Sequence, residues 1–277
     1  MLPRLKIFYK KHLFKIPLTR LIYVVLNGLV DLECRIKRFS FPPIYLRAWK
    51  LDMLRDHYEA GTVQLFKKII CPGMTVIDIG AHIGYFTRLF AKLAGPTGQI
   101  YAFEPDPDNF ALLRLNTTHL PNVLIYKTAL SDFVGNIAFY HCEDKTGCHS
   151  TIPAPFRQKN FEVTAITLDT FVENSNLGRV DVIKMDIEGG ESAALRGMQK
   201  VISNNKKLVI ITEFNPGCLQ EADISPQQFL RNLIADGFEV SLIRPRGVEV
   251  ITPDVVDSAT MLRPGETFVN ILCRRNG

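Results

Sequence analysis

Asp78, Glu104, Asp186 and Glu213 each close an apolar run, in TVID, YAFE, VIKMD and VIITE. Carboxylates at strand tips can accept from hydroxyls and amines, offset a cation, or act as bases. After the first comes the turn GAHIG, Gly80 to Gly84. A strand that reverses into a helix needs positive φ and a backbone face clear of Cβ atoms, and Gly80 and Gly84 supply both. Beyond the turn, Phe86, Leu89, Phe90 and Leu93 recur at i, i+3, i+4 and i+7, one buried helical stripe. The order strand, turn, helix is the one on which open α/β sheets bind a nucleoside cofactor, and Glu104, about twenty residues past the turn, stands where such folds place an acid on the ribose hydroxyls.

What the turn lacks decides which cofactor fits. The dinucleotide fingerprint G-x-G-x-x-G seats a pyrophosphate on a helix N-terminus, whereas residues 80–84 read G-A-H-I-G. Asp78 repels a phosphate nearby and suits an ammonium or sulfonium group. Charge therefore favours S-adenosylmethionine over NAD. Two other classes stay open here. An NAD-dependent oxidoreductase of Rossmann type would be told apart by which cofactor raises the melting temperature. A non-catalytic nucleoside-binding scaffold would be expected to have lost one of Asp78, Glu104 or Asp186, and all three are present.

Six blocks now in view carry a family resemblance: VIDIGAHIGYFT, YAFEPDPDNF, ALSD, ITLD, DVIKMDIEGGESAALRG and the strand ending in Glu213. From about Gly73 to Asn270 the chain resembles the FkbM family of S-adenosylmethionine-dependent methyltransferases, of the class I fold. The resemblance implies an open, mainly parallel seven-stranded sheet with helices on both faces and an antiparallel last strand. It also implies that Gly80, Ala81 and Gly84 line the methionine portion of the cofactor, with Asp78 near its ammonium and Glu104 on the ribose. Ser131 and Asp132 would sit at the adenine. His82 stands where the family's turn more often has asparagine; a histidine still donates a hydrogen bond, so it stays among the cofactor-side residues. The implied reaction is methylation of a hydroxyl on a sugar, glycan or small-molecule metabolite.

On the acceptor side Asp186 is the first candidate for the base, because it ends a strand facing the crevice. Glu188 and Glu213 are placed to join it in holding substrate or a divalent cation. Spacing i, i+2 past a strand does not fix convergence, so no metal ligands are assigned. His149, in TGCHST, is the alternative base.

The surrounding elements alternate strand and helix, as in a parallel sheet. Asp106-Pro107 opens a helix, Ser225-Pro-Gln-Gln opens another, and alternating residues at 136–140 and 161–166 suggest an inserted β-pair around a polar loop, 143–155, placed to overhang the crevice. With 277 residues and 47% hydrophobic content, the reading is a basic helical extension, 1–60, and one catalytic domain, 61–277. Charge is uneven: residues 1–50 hold eleven Lys and Arg against two acids, or +9, and the remainder holds 22 against 26, or −4. Arg4, Lys6, Lys10, Lys11, Lys15 and Arg20 precede the apolar run Leu21 to Leu26, a pattern for a basic amphipathic helix that lies on an anionic membrane face or packs on the catalytic domain. That run is well under the roughly 20 residues a bilayer span needs, and no small-residue cleavage site follows it. A cytoplasmic enzyme, peripheral to a membrane at most, is expected. The slightly acidic catalytic portion disfavours an RNA acceptor. Six cysteines without C-x-x-C or zinc-type spacing read as reduced thiols.

Overall fold

The computed structural model describes residues 17–45, 47–142, 146–251, 261–263 and 265–275; the basic positions from Arg4 to Lys15 lie outside them. Two units are present, Met1–Tyr58 and Glu59–Gly277. In the first, helix α1 (Pro17–Ile36) is followed by a left-handed Arg38, φ 50°, that turns the chain toward α2 (Arg47–Leu54). Val30 of α1 and Met53 and Leu54 of α2 are buried. The rings of Phe39, Phe41, Tyr45 and Trp49 form a chain with centroids 4.5, 5.9 and 5.8 Å apart.

The second unit opens with α3 (Ala60–Ile69) and then alternates β1 (Thr75–Ile79), α4 (Tyr85–Ala94), β2 (Gln99–Phe103), α5 (Pro107–Thr117) and β3 (Val123–Tyr126). A short β4 (Ala129–Leu130) joins β5 (Gly135–His141) and β6 (Gln158–Ile166) in a separate three-stranded sheet, so the inserted β-pair is present and carries an added strand. The chain then returns through α6 (Leu168–Asn174), β7 (Val182–Met185), α7 (Glu191–Arg196), α8 (Gln199–Asn204), β8 (Val209–Phe214), α9 (Pro216–Glu221), α10 (Pro226–Ala235), β9 (Phe238–Arg244), β10 (Gly247–Val250) and β11 (Val269–Arg275).

The main sheet runs β10-β9-β11-β8-β7-β1-β2-β3. It is the open, mainly parallel class I arrangement, with the last strand, β11, antiparallel to both β8 and β9. The sheet has eight strands where the resemblance implies seven. The additional strand, β10, folds back antiparallel on β9, and its four residues are all exposed. With neither side buried, its brief Val248-Glu249-Val250 alternation marks no buried face to announce it.

Strand residues alternate between two packed faces. Ile77 and Ile79 of β1, Tyr101 and Phe103 of β2, and Ile183 and Met185 of β7 share one cluster with Phe171, Val201 and Phe229 of α6, α8 and α10. On the other face Phe66 of α3 meets Phe86 and Phe90 of α4, at 5.6 and 4.6 Å. Helix α5 starts where sequence places it: Asp106 accepts from the amides of Asp108 and Asn109, with Pro107 in the first turn.

Strand order reverses between β1 and β7, and there the crevice opens. Gly80 fixes its width. Its φ is +78°, and a Cβ would lie 1.9 Å from the Asp186 carbonyl oxygen. Backbone faces backbone there, so no rotamer can relieve the clash. Gly80→Ala is expected to cost at least about 2 kcal/mol, read as a lowered thermal midpoint; an unchanged midpoint would show that the two strand ends can move apart freely.

Candidate active site

Asp78 is the penultimate residue of β1 and is fully buried. Alternation turns it toward α4, where one carboxylate oxygen accepts from Thr87 Oγ1 at 2.6 Å. The other oxygen, Oδ1, is buried without a hydrogen-bond partner. Lys184 of β7 is its neighbour in register, and Lys184 Nζ also reaches Asp186 Oδ2 at 3.2 Å and lies over the Phe86 ring. Burial alone would lower the lysine's pKa, but Asp186 and then Asp78 outweigh it and the ammonium is held. For Asp78 burial wins over Lys184 and Thr87, so its pKa is raised.

Glu104 follows β2 and is likewise buried. Its Oε2 accepts the His82 amide at 2.7 Å and its Oε1 the Asp106 amide at 2.9 Å. Each carboxylate oxygen has two lone-pair directions, so one on each remains for a diol. Burial lifts its pKa to about 8, the two amide hydrogen bonds pulling the other way. The turn between is rigid: Gly80 and Ala81 both donate to the Phe103 carbonyl, and His82 takes a left-handed φ of 53°. The His82 ring is 2.9 Å from Thr146 Oγ1, and burial lowers its pKa to about 4.

The predicted adenine-side pair lies in the segment after β4. Ser131 is buried and hydrogen-bonds Asp132 at 3.3 Å; Asp132 is ion-paired with Arg196 at 2.9 Å.

Past β7 the loop DIEGGE is built around a residue that sequence reasoning did not single out. Glu191 is buried and accepts the amides of Ile187 and Gly189 at 2.9 and 2.8 Å. This closes the loop and leaves Glu188 at its apex with φ 54°. Donor oxygens of Asp186, Glu188 and Glu213 lie within 4.8 Å of one another. The convergence that i, i+2 spacing could not establish is therefore present, and these three are a set able to hold a divalent cation. Glu188 meets Cys218 Sγ at 3.2 Å and the Arg157 guanidinium at 3.8 Å. Burial, then Asp186, pushes its pKa up to about 7. Glu213, hydrogen-bonded by Asn215 at 3.2 Å, is raised well above the usual carboxylate range, again chiefly by burial.

His149 sits in the polar loop, stacked on His141 at 3.8 Å. Its Nδ1 accepts the Cys142 amide at 3.0 Å, so the neutral ring carries its proton on Nε2 and presents a donor. Although Asp106, His141 and His149 bring ligand-type atoms within 4.8 Å, that proton stands where a metal would need a lone pair. The loop itself roofs the crevice. Thr146 is tied to His82 and, through its carbonyl, to Asn109; Ser150 Oγ donates to the Glu188 carbonyl at 2.8 Å. Arg157, almost wholly buried, ties the loop down by donating to the Cys148 and Ile152 carbonyls and to Glu221.

Lys184, Arg157, Glu191 and Cys218 are thus the parts missed from sequence. Only Lys184 left a signal, a lone charge inside the apolar run VIKM. All six cysteines are free thiols.

Acids gathered at the carboxyl ends of β1, β2, β7 and β8, around the reversal of an open α/β sheet, define a Rossmann-like enzyme of the methyltransferase class. Residues 78–230 match the methyltransferase FkbM domain, and the chain belongs to the FkbM methyltransferase family. It is 29% identical over 193 residues to the 2-O-methyltransferase NoeI of Sinorhizobium fredii, covering 64% of this chain and 77% of that one. It is 27% identical over 164 residues to the hexuronic acid methyltransferase AglP of Haloferax volcanii, covering 58% and 64%. Similarity to the 31-O-demethyl-FK506 methyltransferase FkbM of Streptomyces tacrolimicus is 28% over 188 residues, covering 52% and 71%.

Glu104 and Glu188 bind their protons more tightly in the folded chain than in the unfolded one, at about 8 and about 7 against 4.5. The stability this contributes is complete below the unfolded value and is lost as pH rises through 7 to 8. His82 and His149, lowered to about 4 from 6.5, contribute in full above 6.5 and lose it only toward acid. From about pH 6.5 to 9 the carboxylates alone should govern, so the urea midpoint of the ligand-free protein is expected to fall with rising pH and to flatten in Glu104→Gln. A midpoint that climbs across that window would contradict these burial assignments.

Proposed function

We propose that this chain transfers a methyl group from S-adenosylmethionine to a hydroxyl of a sugar, glycan or small-molecule metabolite. The observation that carries the reading is the convergence of Asp186, Glu188 and Glu213 across the sheet's reversal from Glu104 and the Gly80–Gly84 turn. The donor side fits the cofactor on this chain's own chemistry. Asp78 has an unpartnered buried oxygen near the turn, and Glu104 keeps acceptor capacity for two ribose hydroxyls. Gly80, Ala81 and Gly84 line the methionine portion, His82 fixes the turn under Thr146, and Ser131 and Asp132 stand at the adenine. When bound, this cofactor supplies an electrophilic methyl group on a sulfonium.

Removing the acceptor's proton falls to Glu188. At about 7 it is matched to neutral operation; Asp186 is engaged by Lys184, and His149 offers a donor instead of a free lone pair. In the transfer the hydroxyl proton would pass to the Glu188 carboxylate as the acceptor oxygen takes the methyl carbon from the bound donor, whose sulfur would leave as a neutral thioether. Asp186 and Glu213 orient the acceptor, directly or through a divalent cation that those two would hold. The relatives named above are a 2-O-methyltransferase, a hexuronic acid methyltransferase and a methyltransferase of 31-O-demethyl-FK506, which supports sugar and metabolite hydroxyls as the class to survey.

Calorimetry should show adenosylhomocysteine binding and no heat with NAD, and Glu104→Ala should weaken the nucleoside by about tenfold or more through the two lost ribose hydrogen bonds. Unchanged affinity removes Glu104 from the ribose. With labelled donor and a panel of glycosides, Glu188→Gln is expected to lower kcat by about 10²–10⁴ while leaving nucleoside affinity intact. The wild-type kcat should rise with pH through about 7, the base being active when ionised. A rate indifferent to this substitution would transfer the base role to another group.

A further inference from the structure

Helix α1 presents Val25, Leu29, Leu32 and Ile36 at i, i+4, i+7 and i+11, one face of the helix, and all four are exposed, Leu29 by 57%, Leu32 by 53% and Ile36 by 73%. Leu26 widens the stripe, and Ile44 and Trp49 are exposed in the same unit. Isolated apolar side chains on a surface need no explanation, but a continuous stripe along several helical turns does. Its charge setting is one-sided. Six bases precede Leu21 in the sequence, and Arg35, Lys37 and Arg38 surround the stripe's last residue, Ile36. Of the two acids among the first 50 residues, Asp31 falls on the far side of the helix by its period, and Glu33 is paired with Lys37 at 3.1 Å and Arg55 at 3.8 Å.

We infer that this face of α1 docks on an anionic membrane surface. A second copy of the chain is the competing occupant, because the 3–4 spacing also suits a helix pair. Dimerisation would bring together two segments of net charge +9 each over residues 1–50, whereas anionic headgroups neutralise that charge as the apolar side chains enter the interface. No described helix is long and apolar enough to cross a bilayer. The helix therefore lies in the plane of the surface, about 30 Å long at 1.5 Å per residue, with Trp49 suited to headgroup depth. The inference is independent of the methyl-transfer reading.

The test is flotation of the full chain with vesicles of neutral phosphatidylcholine, and of phosphatidylcholine mixed three to one with phosphatidylglycerol, at low and high salt. Partition should be at least about tenfold greater on the anionic vesicles and should fall with salt. A Leu29→Asp, Leu32→Asp double variant changes only exposed positions. It is expected to lose at least about tenfold of that partition while adenosylhomocysteine calorimetry stays unchanged, which separates docking from folding and from the active-site reading. Equal partition on both vesicle types would overturn the inference. So would partition unaffected by the double variant, or a dimer in light scattering that the variant dissolves without any vesicle binding.

Discussion

One buried ammonium holds the crevice together. Lys184 sits on β7 between Asp78 of β1 and Asp186 at the β7 tip, on the face covered by α4, with Phe86 beneath its Nζ. A lysine out of water is costly unless its charge is met, and a carboxylate out of water equally so. Each partner makes the other tolerable. Because the two acids come from strands on opposite sides of the reversal, their shared cation ties together the edges between which a ligand must enter. Gly80 completes the constraint sterically, since only a residue without Cβ lets the β1 turn close on the Asp186 carbonyl.

The remaining carboxylates lack such a partner and are handled with hydrogen bonds. Glu104 receives two backbone amides and Glu191 two more, while Glu213 has the Asn215 side chain. Dipoles of this kind hold an anion in place but offset desolvation only in part, which is why burial leads the causes at each of these raised carboxylates. Glu188 is the mixed case, near enough to Arg157 to feel a cation and near enough to Asp186 to feel a like charge. Burial and then Asp186 raise it, the Cys218 hydrogen bond pulls it back, and Arg157 lowers it least. A residue so balanced suits proton transfer better than one fully committed to an ion pair.

The parts legible in sequence are those whose cause is local. The GAHIG turn declares its backbone demand, the stripe after it declares α4, and Asp106-Pro107 declares the start of α5, each within a few residues. Acids closing apolar runs could be put on one edge because parallel strands end together. Arg157 could not be read, because its partners Cys218 and Glu221 are 61 and 64 positions away and arrive through a loop and a helix. Glu191 resembles an ordinary first-turn acid of α7 until the loop is seen folding back onto it. Strand β10 hides for the opposite reason, since it buries nothing and its alternation, Val248-Glu249-Val250, is only three residues long.

The inserted sheet turns these separate anchors into one roof. Thr146 is fixed to His82 and Asn109 on the nucleoside side, and Ser150 to the Glu188 turn on the acceptor side. Four peptide steps separate them, and an extended chain gains at most about 3.6 Å per residue. A connection that short transmits displacement: the roof cannot lift far from the turn at β1 without pulling on the loop that carries Glu188. His141 and His149 stiffen its inner face by stacking, and the Cys142 amide locks His149 in one tautomer. The loop is in this way tied to the β1 turn, to α5, to the Glu188 loop and to α9. The geometry of Glu188 accordingly depends on contacts made as far off as the first turn of the sheet.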